Sequence, residues 1–127
     1  MWIAAPFVTG TLLVAGLFHV LPVAGVLGAE RLASLYGVAV GDPALLLLMR
    51  HRAVLFGVLG AFMLHAAWSP PLQGWALAAG LVSTASFVAL AMAAPLTPAL
   101  RTVMWIDVAL FAALLAALGL RAVATRP

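Results

Sequence analysis

Arg50, His51 and Arg52 set three ionisable side chains inside a stretch otherwise built of Leu, Val, Ala, Phe and Gly. A guanidinium grips carboxylate, phosphate or carbonyl oxygen through a planar fork of donors, and an imidazole moves protons near neutral pH or ligates a metal. His19 and Asp107 stand in equally apolar surroundings, and Glu30 lies in a more polar stretch between. These six residues form the candidate polar cluster. An ionised side chain at the centre of a bilayer costs about 2.5–3.5 kcal/mol on insertion scales, so such groups face a bundle interior and pair.

The membrane setting follows from composition. Of 127 residues, 67% are hydrophobic and only 7% charged, against roughly 45–50% and about 25% in a soluble domain. The apolar excess must face lipid. Without Cys there is no disulfide, thiolate nucleophile, iron–sulfur ligation or Cys-containing zinc site. The net charge of +3 comes from six scattered Arg and no Lys against Glu30, Asp42 and Asp107, which argues against nucleic acid as a partner. The start, Met1, Trp2 and Ile3, has no basic n-region, so the first apolar run reads as a retained span.

Four stretches meet the requirement of about 20 apolar residues per crossing. The first is expected over 2–21, with Pro22 at its exit and His19 in its last turn. From Pro22 to Asp42 the chain turns Gly-rich and more polar, and 29–36 is predicted as a short interfacial helix. Its Leu32, Leu35 and Tyr36 share one side, with Glu30, Arg31 and Ser34 off it. Asp42 as N-cap and Pro43 at the first helical position open a second span to 68. Ser69, Pro70 and Pro71 read as a tight break flanked by Trp68 and Trp75, before an uncharged third span over 73–94. Ser83, Thr84 and Ser86 in it read as helix-packing residues, as do Gly57 and Gly60 in the second span. Thr97 and Pro98 repeat the cap grammar for a fourth span to 120, followed by a frayed tail. The fold predicted is all-α, a single integral-membrane four-helix bundle over 1–127.

At 1.5 Å per residue, Arg52 and Asp107 lie roughly 15 Å into the second and fourth spans. Asp107 is the only acid within a span, which predicts a pair between Asp107 and Arg52. Arg50 and Arg52 differ by about 200° around the helix, so Arg50 needs another partner: Glu30, Asp42, backbone carbonyls or lipid phosphate. His19 and His51 on separate helices also raise haem or metal ligation, which the neighbouring guanidinium charges oppose.

The run Leu35, Tyr36 and Gly37, then Asp42 and Pro43, then Met49 through Gly60 resembles a family of small bacterial four-span membrane proteins, over nearly the whole length and including His19, Pro22 and Asp107. The resemblance implies the fold and no particular activity. Members of that family sometimes carry the label phosphopantetheine adenylyltransferase, and this sequence contradicts it, since a nucleotide-binding α/β domain with a His-bearing phosphate motif is missing. In architecture the family is similar to DoxX-like four-helix membrane proteins, some of them linked to quinone or redox complexes.

Three functions are compatible with these residues: a non-enzymatic bundle whose cluster is structural or binds membrane lipid or an amphipathic, quinone-like molecule; an accessory subunit, or homo-oligomer, packed on a membrane-protein partner; and an enzyme or transporter using His19, His51, Arg52 and Asp107. A bacterial cytoplasmic membrane is expected. Arg31, Arg50, Arg52 and Arg101 against Arg121 and Arg126 put the first and third connections in the cytoplasm and both termini on the opposite side.

Overall fold

Two side-chain caps start the second and fourth spans. The Asp42 carboxylate accepts from the Leu45 N–H at 2.8 Å, and the Thr97 hydroxyl accepts from the Leu100 N–H at 3.2 Å. Each cap precedes a Pro whose missing N–H costs nothing at the first helical position. The computed structural model describes residues 3–125. Trp2, given above as the start of the first span, and Arg126 and Pro127 of the tail lie outside them. The helices are α1 (Ala4–Val20), α2 (Ala29–Tyr36), α3 (Pro43–Ala66), α4 (Pro70–Ala91) and α5 (Pro98–Ala124), with a 3₁₀ segment over Leu21–Leu27. Four helical stretches, with the 3₁₀ segment extending the first, are long and apolar enough to cross a membrane. The chain is an all-α, multi-pass four-helix bundle.

Three boundaries depart from the sequence expectation, each at a proline or a capped end. Pro22 does not end the first span. The chain tightens into 3₁₀ geometry through Leu27 and stops at Gly28, whose φ of 128° suits glycine alone. Pro70 and Pro71 are the first turn of α4 and not a break before it. The fourth span runs on to Ala124 instead of fraying at Arg121.

Around the bundle the order is α1, α3, α4, α5, each packed on the next and α5 back on α1, so that α3 and α5 occupy opposite corners. The half of the bundle near the termini holds a close-packed core of Val8, Leu12, Ala15, Met63, Ala66, Leu77, Leu110 and Leu114. Here α1 and α3 approach through Gly16 and Gly60, where a Cβ on Gly60 would stand 2.7 Å from the Gly16 carbonyl oxygen. The other half is opened by α2. Its Leu32 and Tyr36 are buried with Val40 against Leu46 and Met49 of α3 and Leu100 and Val103 of α5. Thus α2 is a wedge between the two corner helices. Glu30, Arg31 and Ser34 stay on its exposed side, as its pattern predicts. Gly37, left-handed at φ 65°, turns the chain off the wedge.

Candidate functional site

One level of the bundle gathers polar side chains from all four spans. Arg52 and Asp107 each lie nine residues after the first residue of α3 and α5, about 14 Å in. His19 belongs to the same level because the 3₁₀ segment adds about 14 Å beyond α1 at 2.0 Å per residue. Ser83 lies about 12 Å from the end of α4 by the same count.

His19 is 3% exposed. One ring nitrogen, Nδ1, bonds the Ala15 carbonyl at 2.8 Å and the other, Nε2, bonds the Ser83 hydroxyl at 3.0 Å. The Ala15 carbonyl can only accept, so Nδ1 carries a proton. The imidazole is stacked on Phe56, with centroids 5.5 Å apart and planes at 17°. Arg52 lies over the other aromatic surfaces, its guanidinium carbon 4.6 Å from the Phe56 centroid and 5.4 Å from that of Tyr36. It donates to the Tyr36 hydroxyl at 3.1 Å. Tyr36 is itself held from behind, since Thr97 donates to its carbonyl oxygen at 2.6 Å. The cap of α5 therefore also fixes the residue that orients Arg52.

The predicted ion pair between Asp107 and Arg52 does not form among the described residues. Both line one cavity of about 160 Å³, walled by Phe18, Phe56, Phe87, Tyr36 and Ile106 with His19 at its inner end. Among the described residues the Asp107 carboxylate accepts no hydrogen bond, and Arg52 turns to Tyr36. The reason is the corner geometry. Arg52 and Asp107 stand on helices at opposite corners, and the Arg52 guanidinium is engaged by the Tyr36 hydroxyl and the Phe56 ring.

The other candidates disperse. Arg50 is exposed and donates through Nε to the Val26 carbonyl at 2.8 Å, closing the 3₁₀ segment onto α3; a backbone carbonyl was among its expected partners. His51 points outward and Glu30 is exposed on the outer side of the wedge, so neither joins the cavity. Consequently His19 and His51 do not converge on one ligand. Tyr36, expected with its tip at the interface, is only 6% exposed and belongs to the site. Ser83 and Phe56 also belong to it. For Phe56 the signal was available, because it stands one helical turn from Arg52, where side chains on one helix meet. For Ser83 there was none, since its partner is 64 residues away.

A second cavity of about 300 Å³ lies on the far side of Arg52 and Tyr36, bounded by Met49, Leu90, Leu96 and Leu100. Arg52, Tyr36 and Phe87 border both spaces and act as the partition.

Fold and site together define a four-span membrane protein with a polar layer inside an aromatic-walled intramembrane cavity. No family model, curated protein or solved structure matches the chain.

Proposed function

We propose that this protein binds an amphipathic small molecule whose head carries hydrogen-bond acceptors, as a quinone-like ligand does, and that it does so without catalysing a reaction. One observation carries the reading: among the described residues Arg52 makes a single side-chain hydrogen bond, to Tyr36, while the Asp107 carboxylate faces the same space with none. A guanidinium offers five donors, so acceptor oxygens entering the cavity have unspent partners. The formal charges of Arg52 and Asp107 cancel, which favours a neutral dipolar head over a phosphate. Sites for drug-sized ligands run roughly 300–1,000 Å³, and a chamber of about 160 Å³ takes a head and leaves the tail to exit past the exposed Phe18 and Leu21 into lipid. Of the three sequence-level possibilities, catalysis loses most support, because His51 has left the set and His19 has both nitrogens engaged.

An accessory-subunit reading is favoured by one feature, a shallow apolar groove over Val23, Ala24, Val54, Gly57, Val58 and Ala61 on the opposite face. The bacterial cytoplasmic membrane is part of the proposal, with the termini outside. That orientation survives removing half-buried Arg52 from the arginine count, and a carboxyl-terminal reporter found in the cytoplasm would reverse it.

Native mass spectrometry of the gently extracted protein tests the reading. Wild type retains a small non-covalent molecule that Arg52→Met and Asp107→Asn lose. Retention by both variants, or a wild type carrying only a larger protein partner, refutes it.

A further inference from the structure

Arg121 lies in α5 at the opposite end of the bundle from the polar layer, and no carboxylate of the described residues pairs with it. The chain has three acids. Glu30 and Asp42 belong to the connection at the other end, and Asp107 is about 21 Å away along α5 at 1.5 Å per residue. The side chain nevertheless has a polar partner. Arg121 donates through Nη1 to the Gln73 amide oxygen at 3.3 Å. Gln73, 8% exposed, is pinned in turn, its amide nitrogen donating to the Ala67 carbonyl at 3.2 Å. Thr9 of α1 donates to that same carbonyl at 3.1 Å. Gly74 leaves the surface of α4 bare beneath the guanidinium, whose Nε would stand 3.5 Å from a Cβ there. Three helices and the α3–α4 turn thus hold one cation at the edge of a cavity of about 420 Å³, with Trp68 at its rim.

We infer that this cavity is a binding site for the phosphate of an anionic phospholipid. The charge arithmetic differs from that of the Arg52 cavity, where a carboxylate balances the guanidinium; here no acid does among the described residues. Trp68 and Trp75, 71% and 74% exposed, mark this end as the membrane–water boundary, the depth at which phosphates lie. Backbone donors are scarce, because Pro70 and Pro71 remove two N–H groups from the start of α4 and the Leu72 N–H is spent on the Ser69 carbonyl. Arg121 therefore carries the recognition. Its remaining fork suits two phosphate oxygens at once.

The test is lipid binding to the detergent-solubilised full chain by native mass spectrometry, with phosphatidylglycerol and phosphatidylcholine of the same acyl chains and, separately, inorganic phosphate. Wild type binds phosphatidylglycerol several-fold more tightly than phosphatidylcholine: both carry the phosphodiester, but only the choline head brings a second cation beside a guanidinium that no described carboxylate balances. Arg121→Met abolishes the difference, whereas Arg52→Met leaves it unchanged, which separates this site from the cavity proposed above. Since Arg121 also ties Gln73, Arg121→Lys is the variant that keeps a charge in place, and it retains a several-fold preference for the anionic lipid. Equal binding of the two lipids by wild type or by folded Arg121→Lys, an unchanged preference in Arg121→Met, or inorganic phosphate competing as effectively as the anionic lipid would each overturn the assignment.

Discussion

Replacing Tyr36 by Phe removes one oxygen atom and leaves the ring under the Arg52 guanidinium. The bond lost is 3.1 Å long, within the ordinary range for N–H···O, and its donor is charged. Hydrogen bonds to charged groups contribute about 1.5–3 kcal/mol in soluble proteins. In a bilayer the unfolded helices find other partners and measured side-chain bonds fall to about 0.6–1.7 kcal/mol. Arg52 is half-buried against an open cavity, so the lower range governs and Tyr36→Phe is expected to cost about 1 kcal/mol. Arg52→Met loses the same bond and also its contact with the Phe56 face, worth about 0.5–2 kcal/mol. The assay is reversible unfolding in mixed micelles of mild detergent and dodecyl sulfate, followed by helical circular dichroism for wild type, both single variants and the double variant. If Tyr36 acts by orienting Arg52, Tyr36→Phe is nearly silent in the Arg52→Met background, giving a coupling of about 1 kcal/mol. Equal losses in both backgrounds would mean that the hydroxyl is stabilised by something other than Arg52, and the account of the site would fail.

Variants at Gly60 and Thr97, each with a matched control, examine the scaffold with the same assay. Gly60→Ala places a Cβ 2.7 Å from both the Gly16 carbonyl oxygen and Val20 Cγ2 and 2.9 Å from the Val20 nitrogen, and since two of these are backbone atoms it should cost about 1–3 kcal/mol. Gly10→Ala, with nothing within 4 Å, is the matched control and should be neutral or slightly stabilising; a Gly60→Ala protein as stable as wild type would contradict the close α1–α3 approach. Thr97→Val removes both the cap of α5 and the bond to the Tyr36 carbonyl, for an expected loss of about 1–2 kcal/mol, and Thr97→Ser should restore most of it.

Much of this architecture was legible because its signals are local. Asp42 with Pro43 and Thr97 with Pro98 announce helix starts by chemistry that acts within one turn, and both caps form as expected. The pattern of Leu32 and Tyr36 against Glu30, Arg31 and Ser34 marked the buried side of α2 for the same reason. Depth was legible too, since a fixed rise per residue puts Arg52 and Asp107 at one level. What spacing along single helices cannot encode is the order of helices around the bundle. The pairing of Arg52 with Asp107 failed on that point alone: right level, opposite corners. Tyr36 was misplaced because its helix looks interfacial in isolation, and only its insertion between α3 and α5 buries the ring. Pro22 and Pro70 carry the same lesson locally, as a proline is equally compatible with an ending, a tightening or a beginning of a helix.

The wedge helix connects these failures to function. A four-helix bundle packed as closely along its whole length as around Met63 and Leu114 would have no room for Arg52, and an arginine there would have to reach a carboxylate directly or leave the interior. Leu35 and Tyr36 of α2 line the space that Arg52 of α3 and Asp107 of α5 share, and among the described residues the two charges form no ion pair across it. Tyr36 then supplies the one bond that keeps Arg52 pointed into that space. The charge that opened the question is thus held by an aromatic hydroxyl and two ring faces. Such contacts fix its position while leaving four of its five donors available, where a bidentate carboxylate partner would leave three and cancel the charge.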